Sequence, residues 1–351
     1  MQNFSTRRSQ SDCEYQVLTW VVTGAAGFIG TNLCIELVKL GRDVVLIDNL
    51  SRANVLDNAE FLKIKFGLQV TVIDVSDWEE LKESLDKIEN IEVLIHLAGQ
   101  VSFMASVSDP RRDFEVNALG TLNILEYLRI YSPKTVVIGM SSNKIYGSLS
   151  EIRVLESERR YFAPDFPQGF NESLKIDFHG PYGCSKGAAD QYLRDYNRIF
   201  GLKTMSFRQS SVYGKFQKPA SDQGWLSFFL REAQLGREIN LNGKGKQVRD
   251  LLYVEDLVKL FLCVSDMPFE NYGHSVNVGG GALNSLSILE LFEFLEELLG
   301  TEISYKFGQE RPSDQKVFIS DNTLIQGLVN WRPSVSVEQG LGRLIEADGS
   351  D

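Results

Sequence analysis

Cysteine is scarce in this sequence, and the spacing of the few cysteines excludes two kinds of site. The chain has 351 residues and only four cysteines, Cys13, Cys34, Cys184 and Cys263. No two of them form a C-x-x-C pair, so the sequence carries neither a zinc signature nor a disulfide framework. We therefore expect no metal site, and we expect reduced thiols in a cytoplasmic protein.

Long apolar runs and an excess of positive charge are missing as well. No run approaches the roughly 18 apolar residues that a membrane-spanning helix needs, so we expect no membrane partner. The formal net charge of -11 argues against a surface for nucleic acid. Residues 1–16 are polar and lack the apolar core of a signal peptide, so we interpret them as a flexible leader.

The stretch WVVTGAAGFIG is the one around which the chain is organised. The apolar run Leu18–Val22 is typical of a short buried strand, and a helical pattern covers Phe28–Gly41. Between them, Gly24, Gly27 and Gly30 have the spacing G-x-x-G-x-x-G. Such glycines allow a sharp turn, a close approach of backbone to a pyrophosphate, and tight packing of helix on strand. The stretch therefore predicts a dinucleotide site in which the helix N-terminus faces the phosphates.

Asp48 indicates which dinucleotide is bound. A second apolar run, Val44–Ile47, ends at this residue, eighteen positions after Gly30. A carboxylate there accepts hydrogen bonds from the ribose hydroxyls of NAD and repels the 2′-phosphate of NADP. Arg52, a few positions further on, would favour NADP instead. We predict NAD as the cofactor because of the charge of Asp48.

Short apolar runs alternate with helical patterns, and this alternation predicts the fold class. The strand-like runs are Leu18–Val22, Val44–Ile47, Val70–Ile73, Val93–Leu97, Thr135–Met140 and Thr204–Arg208. The helical patterns between them include Trp78–Ile88, Phe114–Tyr131 and Gly183–Phe200. The order predicts an α/β protein with a doubly wound, Rossmann-like parallel sheet, whose ligands bind at the carboxyl ends of the strands.

The pattern changes after Gly214 and predicts a smaller α/β cap domain that binds substrate. We expect a helix over Asp222–Gly236, a loop with a short strand over Arg237–Gly245, and an amphipathic helix over Ser285–Leu299. Two stretches, Val248–Leu262 and Ser275–Val278, are expected to return to the first domain. The predicted NAD-binding domain is 17–214 with returning segments of about 248–280, and the interleaved cap is 215–247 with 281–351.

Tyr182 and Lys186 carry the predicted chemistry. They stand four residues apart at the start of a predicted helix, so both side chains share one face. A lysine ammonium lowers the pKa of a nearby tyrosine hydroxyl, which makes that hydroxyl a usable base near neutral pH. Ser142, at the end of a predicted strand, would hydrogen-bond the reacting oxygen. For the tyrosine and lysine alone, the alternative is a surface pair on a helix.

These motifs and several longer strings resemble a known family. TGAAGFIG, HLAG, SSNKIYG, YGCSK and VRDLLYVED resemble the extended short-chain dehydrogenases/reductases, which include nucleotide-sugar epimerases and dehydratases. Within that family, DFHGPYGCSKGAADQY, SDQGW, GKGKQVRD, NSLSILELF and SDQKVF resemble the CDP-paratose 2-epimerase (CDP-tyvelose epimerase) group. The resemblance implies that Ser142, Tyr182 and Lys186 are catalytic and that Asp74 lies near the adenine.

The glycine motif, the strand ends and the resemblance together give two sets of expected site residues. The cofactor residues are Gly24, Gly27, Phe28, Ile29, Gly30, Asp48, Asn49, Arg52, Asp74, Val75, Leu97, Ala98, Gly99, Gln100, Tyr182 and Lys186. The substrate residues are Ser142, Asn143, Lys144, Ser211, Trp225, Arg249 and Arg311. The two arginines are expected to bind the diphosphate, because a guanidinium fork suits phosphate oxygens.

Asn143 and Lys144 bear on the reaction type. Related dehydratases resemble S-T-D-E-V-Y-G at this strand end, with Asp and Glu as acid and base, and an amide cannot transfer a proton. Dehydration is therefore not expected. We interpret Lys144 as a binding residue, with acid–base chemistry as the alternative. Trp225 either stacks on a base or sugar or is buried in the cap.

Three acidic residues and one cysteine near these motifs are interpreted as structural. Asp109, Asp113 and Glu115 are expected to lie on solvated helix faces. Cys184 lies between Tyr182 and Lys186 and is expected to be a small packed residue, with a thiol acid or base as the alternative.

The sequence thus predicts an NAD-dependent nucleotide-sugar epimerase. The resemblance implies inversion at carbon 2, from CDP-paratose to CDP-tyvelose, in deoxysugar biosynthesis for the O-antigen of lipopolysaccharide. The alternatives are a 4-epimerase acting on a UDP- or GDP-linked sugar, and a non-catalytic NAD-binding regulator. The intact set of serine, tyrosine and lysine argues against the regulator. The expected partners are a nucleotide-diphosphate sugar and further copies of the chain, in a homodimer or homotetramer.

Overall fold

The computed structural model describes residues 18–52, 55–218, 224–310 and 314–348. Its strands are β1 (Thr19–Thr23), β2 (Asp43–Asp48), β3 (Val70–Val72), β4 (Ile91–His96), β5 (Val136–Ser142), β6 (Leu155–Glu156), β7 (Tyr161–Phe162), β8 (Lys203–Gln209), β9 (Ser211–Tyr213), β10 (Ile239–Asn242), β11 (Val248–Tyr253), β12 (Ser275–Val278), β13 (Ser285–Ser287), β14 (Tyr305–Gly308) and β15 (Val317–Phe318). Its helices are α1 (Phe28–Lys39), α2 (Leu56–Phe66), α3 (Trp78–Leu85), α4 (Phe103–Ser108), α5 (Pro110–Phe114), α6 (Gly120–Tyr131), α7 (Gly180–Phe200), α8 (Trp225–Gln234), α9 (Val254–Ser265), α10 (Ile288–Leu299), α11 (Thr323–Val329) and α12 (Val337–Asp348). Within the described part of the chain, no helix is both long and apolar enough to cross a bilayer. The predictions made for residues 1–16, for Asp222 and for Arg311 lie outside the described residues.

Seven parallel strands form the central sheet, in the order β12-β8-β5-β4-β1-β2-β3. Each of the six predicted apolar runs overlaps one of these strands, and Ser275–Val278 supplies the seventh, beside β8. Side chains of β1 alternate between the two faces: Trp20 and Val22 pack in a core with α1 and α9, while Val21 packs in a core with α3, α6 and α7. The predicted class, an α/β protein with a Rossmann-like parallel sheet, is confirmed.

The helix predicted over Phe114–Tyr131 is interrupted. Asp109 caps α5 through a hydrogen bond from the Arg112 N–H at 3.0 Å, and Pro110 occupies the first turn. A π-helical turn, Glu115–Leu119, then separates α5 from α6. In this turn the Asn117 side chain exchanges two hydrogen bonds with the backbone of Gln100. Hydrophobic spacing carries no signal for such a turn, because it is fixed by contact with a distant loop.

A second hydrophobic core lies away from the central sheet. It combines α8, α10 and α12 with β10 and β11. β11 also joins β9, β13 and β15 in a small sheet, while β10, the short strand predicted within Arg237–Gly245, pairs with β14. The structure divides the stretch Val248–Leu262, since β11 belongs to the small sheet and α9 packs in a core of the central sheet. The predicted domain boundaries stay a prediction.

The helix predicted over Ser285–Leu299 begins three residues later than expected. Ser285–Ser287 pairs antiparallel with β11, and α10 starts at Ile288. Ser287 and Glu290 form a capping box, in which each side chain accepts a hydrogen bond from the backbone N–H of the other. The sequence signal S-x-x-E was therefore present and marks the true start.

A buried ion pair fastens α7 to the central sheet. The Arg208 guanidinium on β8 donates to both carboxylate oxygens of Asp190 on α7, at 3.1 and 2.8 Å. Neither side chain is more than 2% exposed. Arg208 also donates to the Tyr146 hydroxyl at 2.9 Å, which donates in turn to Asn277 at 2.8 Å. This network sets the position of the helix that bears Tyr182 and Lys186.

We predict that Asp190→Ala lowers the free energy of unfolding by about 3–5 kcal/mol, because it leaves a buried guanidinium without its counter-ion. The matched control is Asp195→Ala on the same helix, where Asp195 pairs with Arg198 at 50% and 67% exposure. Its loss should cost about 0–1 kcal/mol. Urea unfolding followed by tryptophan fluorescence measures both. Equal effects of the two substitutions would contradict the role given to the buried pair.

Candidate active site

Two cavities meet at the carboxyl ends of the central strands. One has a volume of about 620 Å³ and lies over the glycine turn and β2. The other has a volume of about 630 Å³ and lies between β5 and the second core. Both are lined by Phe28, Ile29, Val101, Tyr182, Gln209 and Gln217. The two cavities therefore adjoin beside Tyr182.

The glycine turn brings backbone against backbone. Gly24 has a φ of 68°, and a Cβ built on it would lie 2.6 Å from the Ala98 nitrogen. A Cβ on Gly30 would lie 2.3 Å from the Gly24 oxygen. Gly27 ends the turn as the N-cap of α1, with no side chain capping the helix. The backbone N–H groups at the start of α1 thus have no side-chain cap and face the first cavity, as a pyrophosphate site requires.

Asp48 stands at the end of β2 with its carboxylate in the first cavity. Its two oxygens accept hydrogen bonds from the backbone N–H groups of Ala26 at 3.1 Å and Leu50 at 2.9 Å. Burial raises the pKa of Asp48, while these two hydrogen bonds and the charge of Arg52 lower it. Each oxygen keeps a lone pair for a further donor, which suits the two hydroxyls of a ribose.

The structure brings most of the predicted cofactor residues to the first cavity. The residues that line it are Gly24, Gly27, Phe28, Ile29, Gly30, Asp48, Asn49, Arg52, Val75, Leu97, Ala98, Gly99, Gln100, Tyr182 and Lys186. The bare helix start, the glycine turn and the Asp48 carboxylate together fit a dinucleotide such as NAD.

Asp74 is the exception among the predicted cofactor residues. It does not line the cavity but accepts hydrogen bonds from Asn49 and Ser76 and pairs with Arg112. Burial raises the pKa of Asp74, but these hydrogen bonds outweigh burial and lower the pKa to about 2. Arg112 lines the cavity in its place. No sequence motif marked Arg112, because its contact with Asp74 joins segments that lie 38 residues apart.

Tyr182, Lys186 and Ser142 come together where the cavities meet. Tyr182 and Lys186 lie one turn apart near the start of α7, where Pro181 occupies the first turn. The Lys186 ammonium donates to the Met140 carbonyl at 3.1 Å, and a Cβ on Gly99 would lie 2.9 Å from its Nζ. Ser142 ends β5, lines the second cavity and is hydrogen-bonded to Tyr182.

Lys186 was predicted to lower the pKa of Tyr182, and this prediction is wrong for the protein without ligands. Burial raises the pKa of Tyr182 to about 12, against a smaller lowering by the hydrogen bond with Ser142. Burial also lowers the pKa of Lys186 to about 8, against a rise caused by Asp113. The argument from spacing weighed the charge of the lysine but not the loss of water around both groups, which is the larger effect here.

Asp113 is not on a solvated face, so that prediction is wrong. Its side chain is 1% exposed, whereas Asp109 is exposed as expected. Cys184 is also exposed rather than packed, and it lines neither of the two cavities. Both differences arise from the arrangement of α5 and α7, which turns Asp113 toward α7 and Cys184 away from the site.

The predicted substrate cations Lys144 and Arg249 meet at one carboxylate. Asp314 accepts hydrogen bonds from Lys144 Nζ at 3.1 Å and from Arg249 Nη2 at 2.7 Å. All three residues line the second cavity. Asp314 belongs to the string SDQKVF, but it was not among the predicted site residues, because its contact with Lys144 joins segments 170 residues apart. The group forms a polar wall with two cations and one anion.

The remaining predicted substrate residues that the structure describes, Ser142, Asn143, Ser211 and Trp225, also line the second cavity. Asn143 is buried and donates to Gln315 at 3.2 Å, and Ser142 donates to its amide oxygen at 3.3 Å. Trp225 is half-buried and donates through its indole to Ser211 at 3.2 Å. Trp225 packs edge-on against Phe229 and also lines the cavity, and its stacking on a base or sugar stays a prediction.

Gln209 is a site residue that sequence reasoning missed. It ends β8, in register with Ser142 on β5. Its buried amide oxygen has no hydrogen-bond partner among the described residues. Gln209 lines both cavities, although this oxygen itself is buried.

Comparison with known proteins identifies the family. Residues 20–279 match the model of the NAD dependent epimerase/dehydratase family. The chain belongs to this family. The predicted resemblance is thereby confirmed, and NAD is confirmed as the cofactor on which the family depends.

Individual relatives cover nearly the whole chain. The CDP-paratose 2-epimerase of Salmonella typhi is 39% identical over 331 residues, which are 93% of this chain and 98% of that protein. The UDP-glucose 4-epimerase of Thermotoga maritima with UDP-glucose superposes with a TM-score of 0.80 at 28% identity, covering 95% of this chain and 99% of that one. The UDP-glucose 4-epimerase of Thermus thermophilus in complex with NAD gives a TM-score of 0.76 at 28% identity, covering 93% and 97%.

We predict that the protein purifies with NAD bound and that Gly27→Ala removes most of it. A Cβ at Gly27 would lie 3.1 Å from the Gly24 oxygen, in the turn that lines the cavity. The control is Gly327→Ala on α11, where a Cβ meets nothing within 4 Å. Cofactor released by denaturation is assayed for each protein. A parent protein that contains no NAD and binds none when it is added would refute the cofactor site.

Proposed function

We propose that the protein inverts carbon 2 of a nucleotide sugar, converting CDP-paratose into CDP-tyvelose with NAD as a resident cofactor. The observation that carries the proposal is the meeting of the two cavities at Tyr182, beside Ser142 and Lys186. One cavity suits a dinucleotide and the other suits a sugar on a diphosphate. The 39% identity to a CDP-paratose 2-epimerase supports the choice of substrate.

The chain's own groups perform the proton transfer. Tyr182 takes the proton of the sugar hydroxyl as general base, and Ser142 positions that oxygen by a hydrogen bond. Lys186 stabilises the phenolate by its charge. Bound NAD supplies the acceptor for the hydrogen of carbon 2 and the source from which it returns. The 2-keto sugar turns its opposite face within the second cavity, and Tyr182 gives the proton back.

The polar wall of the second cavity is proposed to hold the diphosphate. Arg249 and Lys144 supply the cations, and both pair with Asp314 in the protein alone. Phosphate oxygens would replace part of this pairing, because a guanidinium fork binds phosphate as well as carboxylate. Arg311, which lies outside the described residues, stays a predicted third cation.

Asn143 and Lys144 favour epimerisation over dehydration. Dehydration needs an acid and a base beside the sugar, and the Asn143 amide transfers no proton. The Lys144 ammonium is held by Asp314, which agrees with a binding role. A 4-epimerase is the second candidate, since the UDP-glucose 4-epimerases of two bacteria share this fold at 28% identity.

We also propose that the chain assembles as a homodimer or homotetramer in the cytoplasm. Phe114 on α5 and Ile199 on α7 are 56% and 62% exposed, and Tyr192 and Phe200 on α7 are exposed as well. A group of large apolar side chains on neighbouring helices is typical of a subunit interface. The described cysteines are free thiols, which agrees with a reducing compartment. The product would then enter deoxysugar biosynthesis for lipopolysaccharide O-antigen.

We predict that CDP-paratose is converted much faster than UDP-, GDP- or dTDP-linked sugars. The protein is incubated with a panel of these compounds, and the products are identified by NMR. The expected product is CDP-tyvelose, inverted at carbon 2 only. Inversion at carbon 4 of a UDP-sugar, with no reaction of CDP-paratose, would replace the proposal with the 4-epimerase. The variant Tyr182→Phe is the negative control, because it keeps the ring and removes the base.

A further inference from the structure

One buried carboxylate beside the site has no part in the reaction described above. Asp113 on α5 is 1% exposed. It accepts hydrogen bonds from Ser185 Oγ at 2.5 Å, Gln100 Nε2 at 2.9 Å and Asn117 Nδ2 at 3.2 Å. The two amide groups can only donate, which favours an ionised carboxylate, whereas the Ser185 hydroxyl can also accept, because the Tyr182 carbonyl lies 3.2 Å from it as a second acceptor. Burial raises the pKa of Asp113, against a smaller lowering by the hydrogen bond from Ser185, the charge of Lys186 and the hydrogen bond from Gln100.

The three donors come from the three segments that build the reaction centre. Ser185 lies between Tyr182 and Lys186 on the catalytic helix α7. Gln100 belongs to the loop after β4 that lines the cofactor cavity. Asn117 belongs to the π-helical turn and also donates to Ser185 Oγ at 3.0 Å. Asp113 therefore ties the tyrosine–lysine turn to the cofactor loop.

The charged groups around Asp113 are few. On α7 it faces Tyr182 and Lys186, and its charge raises the pKa of both groups. The neighbouring α4 carries no charged residue. On its own segment, Arg112 pairs with Asp74 and Arg111 pairs with Glu115. His96 on β4 faces Lys186, but burial, followed by the charge of Lys186, lowers the pKa of His96 to about 3, so it is uncharged at neutral pH.

We propose that Asp113 is a positioning residue that acts through Tyr182 and Lys186, as the buried counter-ion that keeps the Lys186 ammonium charged and fixes its turn of α7 against the cofactor loop. The inference rests on the proposed roles of Tyr182 and Lys186. Without this charge, a lysine that has lost its water would give up its proton more readily. The negative charge of Asp113 also raises the pKa of Tyr182. The phenolate therefore forms only when a positive charge near the hydroxyl outweighs that of the carboxylate.

The sign of the effect can be tested with Asp113→Asn, which keeps the shape and removes the charge. Asp113 raises the pKa of Tyr182 and of Lys186, so its loss lowers both. Activity needs Tyr182 without its proton and Lys186 with its proton, so the two limbs of the pH profile of kcat report these two groups. We predict that both limbs move to lower pH, by about one unit, because a nearby charge is removed. The control Asp109→Asn, an exposed cap on the same helix, should leave both limbs in place.

A readout that needs no turnover separates this inference from the proposed reaction. The Tyr182 phenolate is titrated by ultraviolet difference spectra, each variant being compared with the same protein carrying Tyr182→Phe. Its midpoint should fall in Asp113→Asn, whatever the substrate is. If Asp113→Asn does not fold, Asp113→Ser is smaller, keeps an acceptor and carries the same prediction. Equal loss of activity at every pH, with an unmoved Tyr182 midpoint, would show that Asp113 is only structural.

Discussion

The parallel pairing of seven strands is the constraint on which the active site depends. Because every strand of the central sheet runs in the same direction, their carboxyl ends meet along one edge. The glycine turn follows β1, Asp48 ends β2, Ser142 ends β5 and Gln209 ends β8. Residues far apart in the chain thus line two adjoining cavities. The chemistry proposed here needs that adjacency, since the sugar must touch the cofactor at one carbon.

The same packing removes water from the groups that must change charge. In the protein alone, burial works against both the phenolate of Tyr182 and the ammonium of Lys186. The buried carboxylate of Asp113 restores charge to the lysine while opposing it on the tyrosine. With a pKa of about 12, Tyr182 is neutral in the protein alone. Positive charge brought by a bound ligand would lower this pKa and favour the phenolate that the reaction needs.

Sequence reasoning succeeded where the signal was local. The spacing of Gly24, Gly27 and Gly30 predicted the turn. The four-residue spacing of Tyr182 and Lys186 predicted that they lie one helical turn apart. The parallel sheet followed from the alternating patterns, and Ser142 was predicted correctly at the end of a strand, which is β5. These inferences need only a few neighbouring residues and the rules of helices and parallel sheets.

The remaining site residues depend on contacts between distant segments. Asp113 was assigned to solvent although it bonds Ser185, 72 residues away. Asp314 and Arg112 were not predicted as site residues either, because their contacts also join distant segments. Burial, which reverses the expected pKa of Tyr182, is likewise a property of the folded chain. A pattern of residue types carries no measure of how much water remains around a side chain.

The central claim is that carbon 2 is inverted by oxidation and return of its own hydrogen. That hydrogen is not acidic in a CDP-3,6-dideoxyhexose, because no carbonyl adjoins it, so removal as a proton is excluded chemically. The most direct measurement is mass spectrometry of product formed in deuterated water, with a parallel reaction of substrate labelled with deuterium at carbon 2. The account predicts no solvent deuterium at carbon 2 and full retention of the substrate label. Solvent deuterium at the inverted carbon would contradict it and would indicate proton exchange by an acid or base that lines the cavity, such as Lys144.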